Sequence, residues 1–155
     1  MRSVRLDEVA LDVVARDAHG VLEIAAARFA RARGLAAGPA ARALLRREEA
    51  GSTALGAGVA VPHARVGGIG APWVIYLRLA DPLPFKAPDG APVREYLVIF
   101  VPERGDTDDH LALLATVATC FSDPAVRSAL ARASTAEDVR RAFGDVSPQQ
   151  CARPA

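Results

Sequence analysis

The chain has 155 residues, 51% hydrophobic and 24% charged, with a formal net charge of +1. This length and composition fit one globular domain with a sizeable core and exclude a disordered chain. The near-neutral balance gives no drive toward nucleic acid or an anionic membrane surface. Two cysteines, Cys120 and Cys151, provide neither a disulfide framework nor four-ligand zinc spacing. Charged residues occupy the N-terminus (Arg2, Arg5, Asp7, Glu8) with no apolar leader behind them, and the longest strongly apolar run, 96–101, is too short to span a bilayer. A cytoplasmic protein without membrane insertion is expected.

Loose alternation over 9–14 predicts a first strand. Asp17 then caps a helix whose apolar face carries Val21, Leu22, Ile24, Ala25 and Phe29, with Gly34 as its stop. A second helix is expected after Gly38, with Pro39 at its first position and an end near Gly51. The stretch 51–58 is rich in glycine and small polar residues and reads as a loop. A short strand over 59–61 stops at Pro62, which leaves His63 just past a strand end, in a turn. Trp73, Ile75, Leu77 and Leu79 predict one face of a strand over 73–79. Pro82, Pro84 and Pro88-Asp89-Gly90 mark turns. The run 96–101 is apolar on both faces, as in a central strand covered on two sides. Thr107 is the expected N-cap of a helix carrying His110, Leu113, Leu114, Val117 and Phe121; Asp123-Pro124 restarts a helix, and Ser134 or Thr135 caps the last. From Gly144 the pattern reads as a fraying end, with the domain bounded at 145 and 146–155 a flexible tail. Strands interleaved with helices predict a single-domain α/β sandwich, a central mixed sheet flanked by helices on both faces.

Three histidines are available for chemistry. His19 lies on the polar side of the first helix and reads as a solvated surface residue. Taken alone, His63 reads first as a loop histidine holding backbone groups. It nevertheless follows a stiff proline beside glycine-rich loops, where sites are built, and an unprotonated imidazole nitrogen is a nucleophile populated near neutral pH. His110 falls in the first turn of a helix, which disfavours the imidazolium and attracts anions; the alternative is a partly buried histidine closing the core. Arg47 offers a bidentate fork for phosphate, and Ser52 and Thr53 add hydroxyl and backbone donors. Phosphoryl transfer needs in-line positioning and donors on the equatorial oxygens, and this set supplies both. A metal site built from the two histidines and Asp109 remains an alternative. No Gly-x-Ser-x-Gly element supports a hydrolase, and no helix opens after Gly56-Ala57-Gly58 to make a dinucleotide fingerprint.

Four blocks together resemble the enzyme IIA domain of the phosphotransferase system (PTS), of the mannitol/fructose/nitrogen-regulatory type. They are Arg47-Glu48-Glu49-Ala50-Gly51-Ser52-Thr53-Ala54-Leu55-Gly56; Gly58-Val59-Ala60-Val61-Pro62-His63-Ala64-Arg65; Phe85 with Pro88-Asp89-Gly90-Ala91-Pro92-Val93; and His110-Leu111-Ala112-Leu113-Leu114. The resemblance spans about residues 5–143 and agrees with the α/β reading. It implies that His63 accepts a phosphoryl group from an HPr-like carrier, that His110 and Arg47 help hold the phosphoryl oxygens, and that no cofactor is needed. The acceptor would be an enzyme IIB in a sugar-specific protein, or regulatory targets in a nitrogen-regulatory one; a regulatory binding module that is not phosphorylated, its histidines vestigial, is the alternative from another class. The chain carries no second PTS domain, which favours the free-standing regulatory kind. Ala54-Leu55 stands where the family usually has Gly-Ile, and 66–70 lacks the family's charged residues, so a slightly different loop is expected.

Overall fold

The computed structural model describes residues 3–145; the expected tail, 146–155, and Cys151 lie outside them. The element order is β1 (Glu8–Val13), α1 (Ala18–Arg33), α2 (Ala37–Glu49), β2 (Ala54–Gly56), β3 (Val59–Ala60), β4 (His63–Val66), β5 (Trp73–Leu83), β6 (Val93–Pro102), α3 (Thr107–Ser122), α4 (Pro124–Arg132) and α5 (Ala136–Ala142).

Six strands form one mixed sheet in the order β1-β5-β6-β3-β2, and β4 also pairs with β6. β5 and β6 are antiparallel, while β1 runs parallel to β5. Both β3 and β4 run parallel to β6, the first against Glu95 and Tyr96, the second against Ile99 through Pro102. They are thus one line of chain interrupted at Val61-Pro62, and the Pro62 carbonyl still accepts from the Ile99 N–H at 2.9 Å. Pro62 has no N–H to give the ladder, so the interruption falls where the backbone lacks a donor.

The alternation of β6 divides the core. Tyr96, Val98 and Phe100 face one side with α1 and α2; Leu97, Ile99 and Val101 face the other with α3, α4 and α5. On the first side Phe29 stacks on Phe100, ring centroids 4.2 Å apart, and meets the edge of Trp73 at 5.5 Å. Truncating Phe29 there is worth about 3–5 kcal/mol. On the second side Phe143 meets Tyr76 and Phe121 edge-on. The helix-flanked sandwich, the shared face of Trp73, Ile75, Leu77 and Leu79, and the two-sided burial of 96–101 all match the sequence expectation.

Six local expectations need correction. Pro82, read as a turn residue, lies within β5, where the register with β6 shifts between Arg78 and Leu83. α2 begins at Ala37, so Pro39 sits third in the helix, still within the turn whose N–H groups have no partner. Residues 54–56, read as loop, form β2, because β3 offers them an antiparallel neighbour. His63 is not in a turn but opens β4, since pairing with β6 resumes beyond Pro62. Asp106, not Thr107, caps α3: its carboxylate accepts from the N–H groups of Asp108 and Asp109. Gly144 and Asp145 do not fray. Asp145 is buried, and its carboxylate accepts from Leu6 N–H at 2.9 Å and from Arg140 at 3.2 Å. Beside it Val4 N–H donates to the Phe143 carbonyl, so the two ends of the described chain meet. The remaining caps follow expectation: Asp17 and Gly34 bound α1, and Thr135 forms a capping box with Asp138.

Candidate active site

His63 stands on β4, which pairs with β6 alone. Ala64 and Val66 turn into the α1/α2 core, so His63 and Arg65 project to the opposite side, toward α3. Two hydrogen bonds fix the His63 ring. Nδ1 lies 2.9 Å from the Val61 carbonyl, and Nε2 lies 3.2 Å from Arg47 Nε. A carbonyl only accepts and a guanidinium only donates. Nδ1 therefore carries the proton, and Nε2 keeps its lone pair. The chain break at Val61-Pro62 makes this possible: Val61 donates its N–H to Thr53 and its carbonyl is taken by the imidazole.

Arg47 comes from the last turn of α2. Its Nη1 donates to the Gly51 carbonyl at 2.8 Å while Nε reaches His63. Glu48, the next residue, holds the following loop. Its carboxylate accepts from Thr53 N–H at 2.9 Å and from Thr53 Oγ1 at 2.6 Å. Thr53 is buried, and its hydroxyl is committed to this carboxylate. Ser52 Oγ donates to the Phe85 carbonyl at 3.1 Å and accepts from Ala54 N–H. Both hydroxyls thus shape the loop. Neither Ala54 nor Leu55 takes a positive φ, so no glycine is needed at these two positions. The positive φ falls at Gly56, Ala57 and Gly58. The tip is gripped from two sides, Asp89 accepting Ala57 N–H and Arg127 donating to the Ala57 carbonyl, each at 2.8 Å.

His110 sits in the first turn of α3, its ring centroid 5.5 Å from that of His63 and tilted by 52°. Its Nδ1 is shielded from solvent and has no hydrogen-bond partner. Both imidazoles titrate below their ordinary range. For His63 burial is the main cause, joined by the Arg47 charge and opposed by the Val61 bond and Glu48. For His110 burial leads again, followed by His63 and Arg65. Leu55 and the α3 residues Leu114, Ala115 and Ala118 wall the open pocket that His63, Arg47, Ser52 and Thr53 also line. Uncharged walls around a neutral imidazole leave Arg47 as the cation beside its lone pair.

The structure therefore brings His63, His110 and Arg47 together, with Ser52 and Thr53 in the supporting loop. His19 is apart and exposed, beside Glu23. Asp109 does not join the histidines: among the described residues no group of three or more His, Cys, Asp or Glu side chains is placed to hold a metal. Glu48 was not singled out from sequence, although its place beside Arg47 in the first block was a signal.

The family described as "Phosphoenolpyruvate-dependent sugar phosphotransferase system, EIIA 2" matches residues 3–145. The chain belongs to this family. This EIIA chain is 41% identical over 107 residues, 69% of each chain, to a nitrogen regulatory protein of Pseudomonas aeruginosa. It is 32% identical over 104 residues, 67% of each, to a fructose-specific EIIA component of Haloferax volcanii. Among solved structures it matches the nitrogen regulatory protein IIA-Ntr of Neisseria meningitidis with a TM-score of 0.81 at 34% identity, over 87% of this chain and 92% of that one. The mannitol IIA of Escherichia coli shares the fold, TM-score 0.71 at 18% identity, over 87% and 94%. No helix among the described residues is long and apolar enough to cross a membrane.

Proposed function

We propose that this EIIA chain is a phosphocarrier of the nitrogen-regulatory type, accepting a phosphoryl group on His63 Nε2 from the phosphohistidine of an HPr-type protein. The observation that carries the reading is the single tautomer of His63, with Nδ1–H given to Val61 and the Nε2 lone pair facing Arg47. In the transfer, the Nε2–P bond forms as the donor's N–P bond breaks, and the bonding pair returns to the donor ring. The Nδ1 proton stays in place, and the positive charge developing on the ring is shared with the Val61 carbonyl. Arg47 turns its donors from Nε2 to the phosphoryl oxygens, where a guanidinium fork suits two of them. His110 meets the same oxygens from the other side. Ser52 and Thr53 act through the shape of the 51–58 loop.

The regulatory assignment is supported by the 41% and 34% identities to nitrogen regulatory proteins. On this reading the phosphorylated and free forms act on regulatory target proteins in the cytoplasm. A sugar-specific role, with an enzyme IIB as acceptor, is the second reading and is favoured by the fructose-specific relative.

Incubation with phosphoenolpyruvate, enzyme I and an HPr-type carrier tests the first claim. One acid-labile phosphoryl group per chain is expected, and none in His63→Ala. No incorporation from any HPr-type donor would overturn the phosphocarrier reading. Adding a fructose-type enzyme IIB then separates the two roles: the regulatory chain keeps its phosphate, and rapid loss to IIB assigns the sugar role instead.

A further inference from the structure

The proposed relay leaves Arg65 without a task. It stands on β4 two residues past His63, on the same side of the strand, and its side chain crosses to the connection between β6 and α3. Nη1 donates to the carbonyls of Gly105 (3.3 Å) and Pro102 (3.5 Å), and Nη2 donates to Thr107 Oγ1 (3.2 Å). Thr107 is the first residue of α3, and His110 follows within that turn. Among the described residues, no other side chain from outside 102–111 hydrogen-bonds to that stretch. His110 has no hydrogen bond at Nδ1 to hold its own ring. Where the ring stands therefore depends on where the start of α3 is held.

We propose that Arg65 is a positioning residue for transfer at His63: by tying the start of α3 to the strand that carries the nucleophile, it sets where His110 meets the phosphoryl group. The tie joins residues 42 apart in sequence; the neighbouring bond from Glu103 N–H to the Val66 carbonyl, at 2.8 Å, holds the end of β6 and stops short of α3. A planar fork suits the task, because it serves two carbonyls and a hydroxyl at once, whereas an ammonium is a point donor on a flexible stem. Transfer depends on placement, and a displacement of about 1 Å costs up to about 10²-fold in rate.

The inference rests on the phosphocarrier reading, and its test separates the two. Transfer from an HPr-type donor is compared in Arg65→Ala, Arg65→Lys and Thr107→Val, and His110 is titrated by NMR in the same unphosphorylated proteins. Arg65→Ala lowers kcat about 10-fold with KM within about twofold. Arg65→Lys keeps the charge but not the fork and also lowers kcat. Thr107→Val removes one acceptor and lowers kcat about threefold; it leaves the guanidinium in place and serves should Arg65→Ala fail to fold. His110 faces Arg65 and His63 across the site and has Asp106, Asp108 and Asp109 on its own segment. Loss of the Arg65 cation moves its titration upward in Arg65→Ala, and Arg65→Lys leaves it in place. An unchanged kcat in Arg65→Ala, or an effect on KM alone, overturns the proposal. No transfer to the unsubstituted chain removes the phosphocarrier reading itself; normal transfer to Arg65→Ala removes only the role of Arg65.

Discussion

The two histidines of the site are held in opposite ways. His63 grows out of a paired strand, and both its ring nitrogens are engaged, one by a backbone carbonyl and one by a guanidinium. His110 stands on the first turn of a surface helix, with one shielded nitrogen left unpaired. A nucleophile must present one lone pair in one direction, and the ladder with β6 and the Val61 carbonyl provide that. A group that meets charge only as it arrives is better kept uncommitted beforehand, since any bond made in the free protein must be given up. On the proposed reading, the difference matches His63 as the histidine that attacks and His110 as the one that assists.

The largest effect expected short of losing His63 is at its cationic partner. Arg47→Ala should slow phosphoryl transfer by about 10²-fold, as removal of a donor to developing charge does, measured as the single-turnover rate from a phosphorylated HPr-type carrier. A loss no greater than that of a distant surface arginine would break the comparison on the His63 side. His110→Ala should be milder, about 10-fold slower, as loss of one hydrogen bond to a charged group is, with His63 still fully modified at long times. Equal and complete loss in both histidine variants would erase the distinction between acceptor and helper.

Glu48→Ala strips two acceptors from a buried threonine, and leaving such donors unsatisfied costs about 2 kcal/mol. The expected drop in thermal stability should be absent from Glu48→Gln to the extent that the amide oxygen still receives Thr53 Oγ1. The smallest effect is the pH response. Folding lowers the proton affinity of both imidazoles, chiefly by burial. With both proton affinities lowered, transfer is expected to be insensitive to alkalinity above neutral pH. Protonation consumes the Nε2 lone pair, so the rate should fall only below the ordinary value of 6.5. The stability effect has a definite sign. The unfolded chain takes up these protons first, near pH 6.5, so stability declines as pH falls from there toward the lowered folded values and then levels off. An inflection of the His63 signal above 6.5 would contradict the burial argument.

Much of this was legible in the sequence because the signals were local and strong. The buried run of β6, the alternating face of β5, and the Asp17 and Gly34 punctuation of α1 each follow from a few neighbouring residues. β2 was not legible. Its three residues include Gly56 at positive φ and carry no strand pattern; they pair only because β3 lies alongside. The same long-range pairing turned His63 from a loop residue into the start of β4. At α3, Thr107 had the right chemistry for a cap, but the Asp106 carboxylate reaches two N–H groups and Thr107 receives Arg65 instead. The histidines and Arg47 were findable as residue types in an order that resembles a family. The bonds of Glu48 and Arg65, which fix loop and helix around them, depend on elements that approach only in the folded chain.

The meeting of the chain ends has a consequence in time. Leu6 N–H finds its acceptor only in Asp145, 139 residues later, and Arg140 reaches back to the Leu6 carbonyl. A ribosome that has released the first strand, both histidines and most of the core has still not delivered that carboxylate. Domains acquire their folds as units during synthesis, and here the lead-in to the first strand is fastened by almost the last residue of the unit to emerge. The early chain waits, with its opening segment unsecured, until Asp145, just past the end of α5, is out.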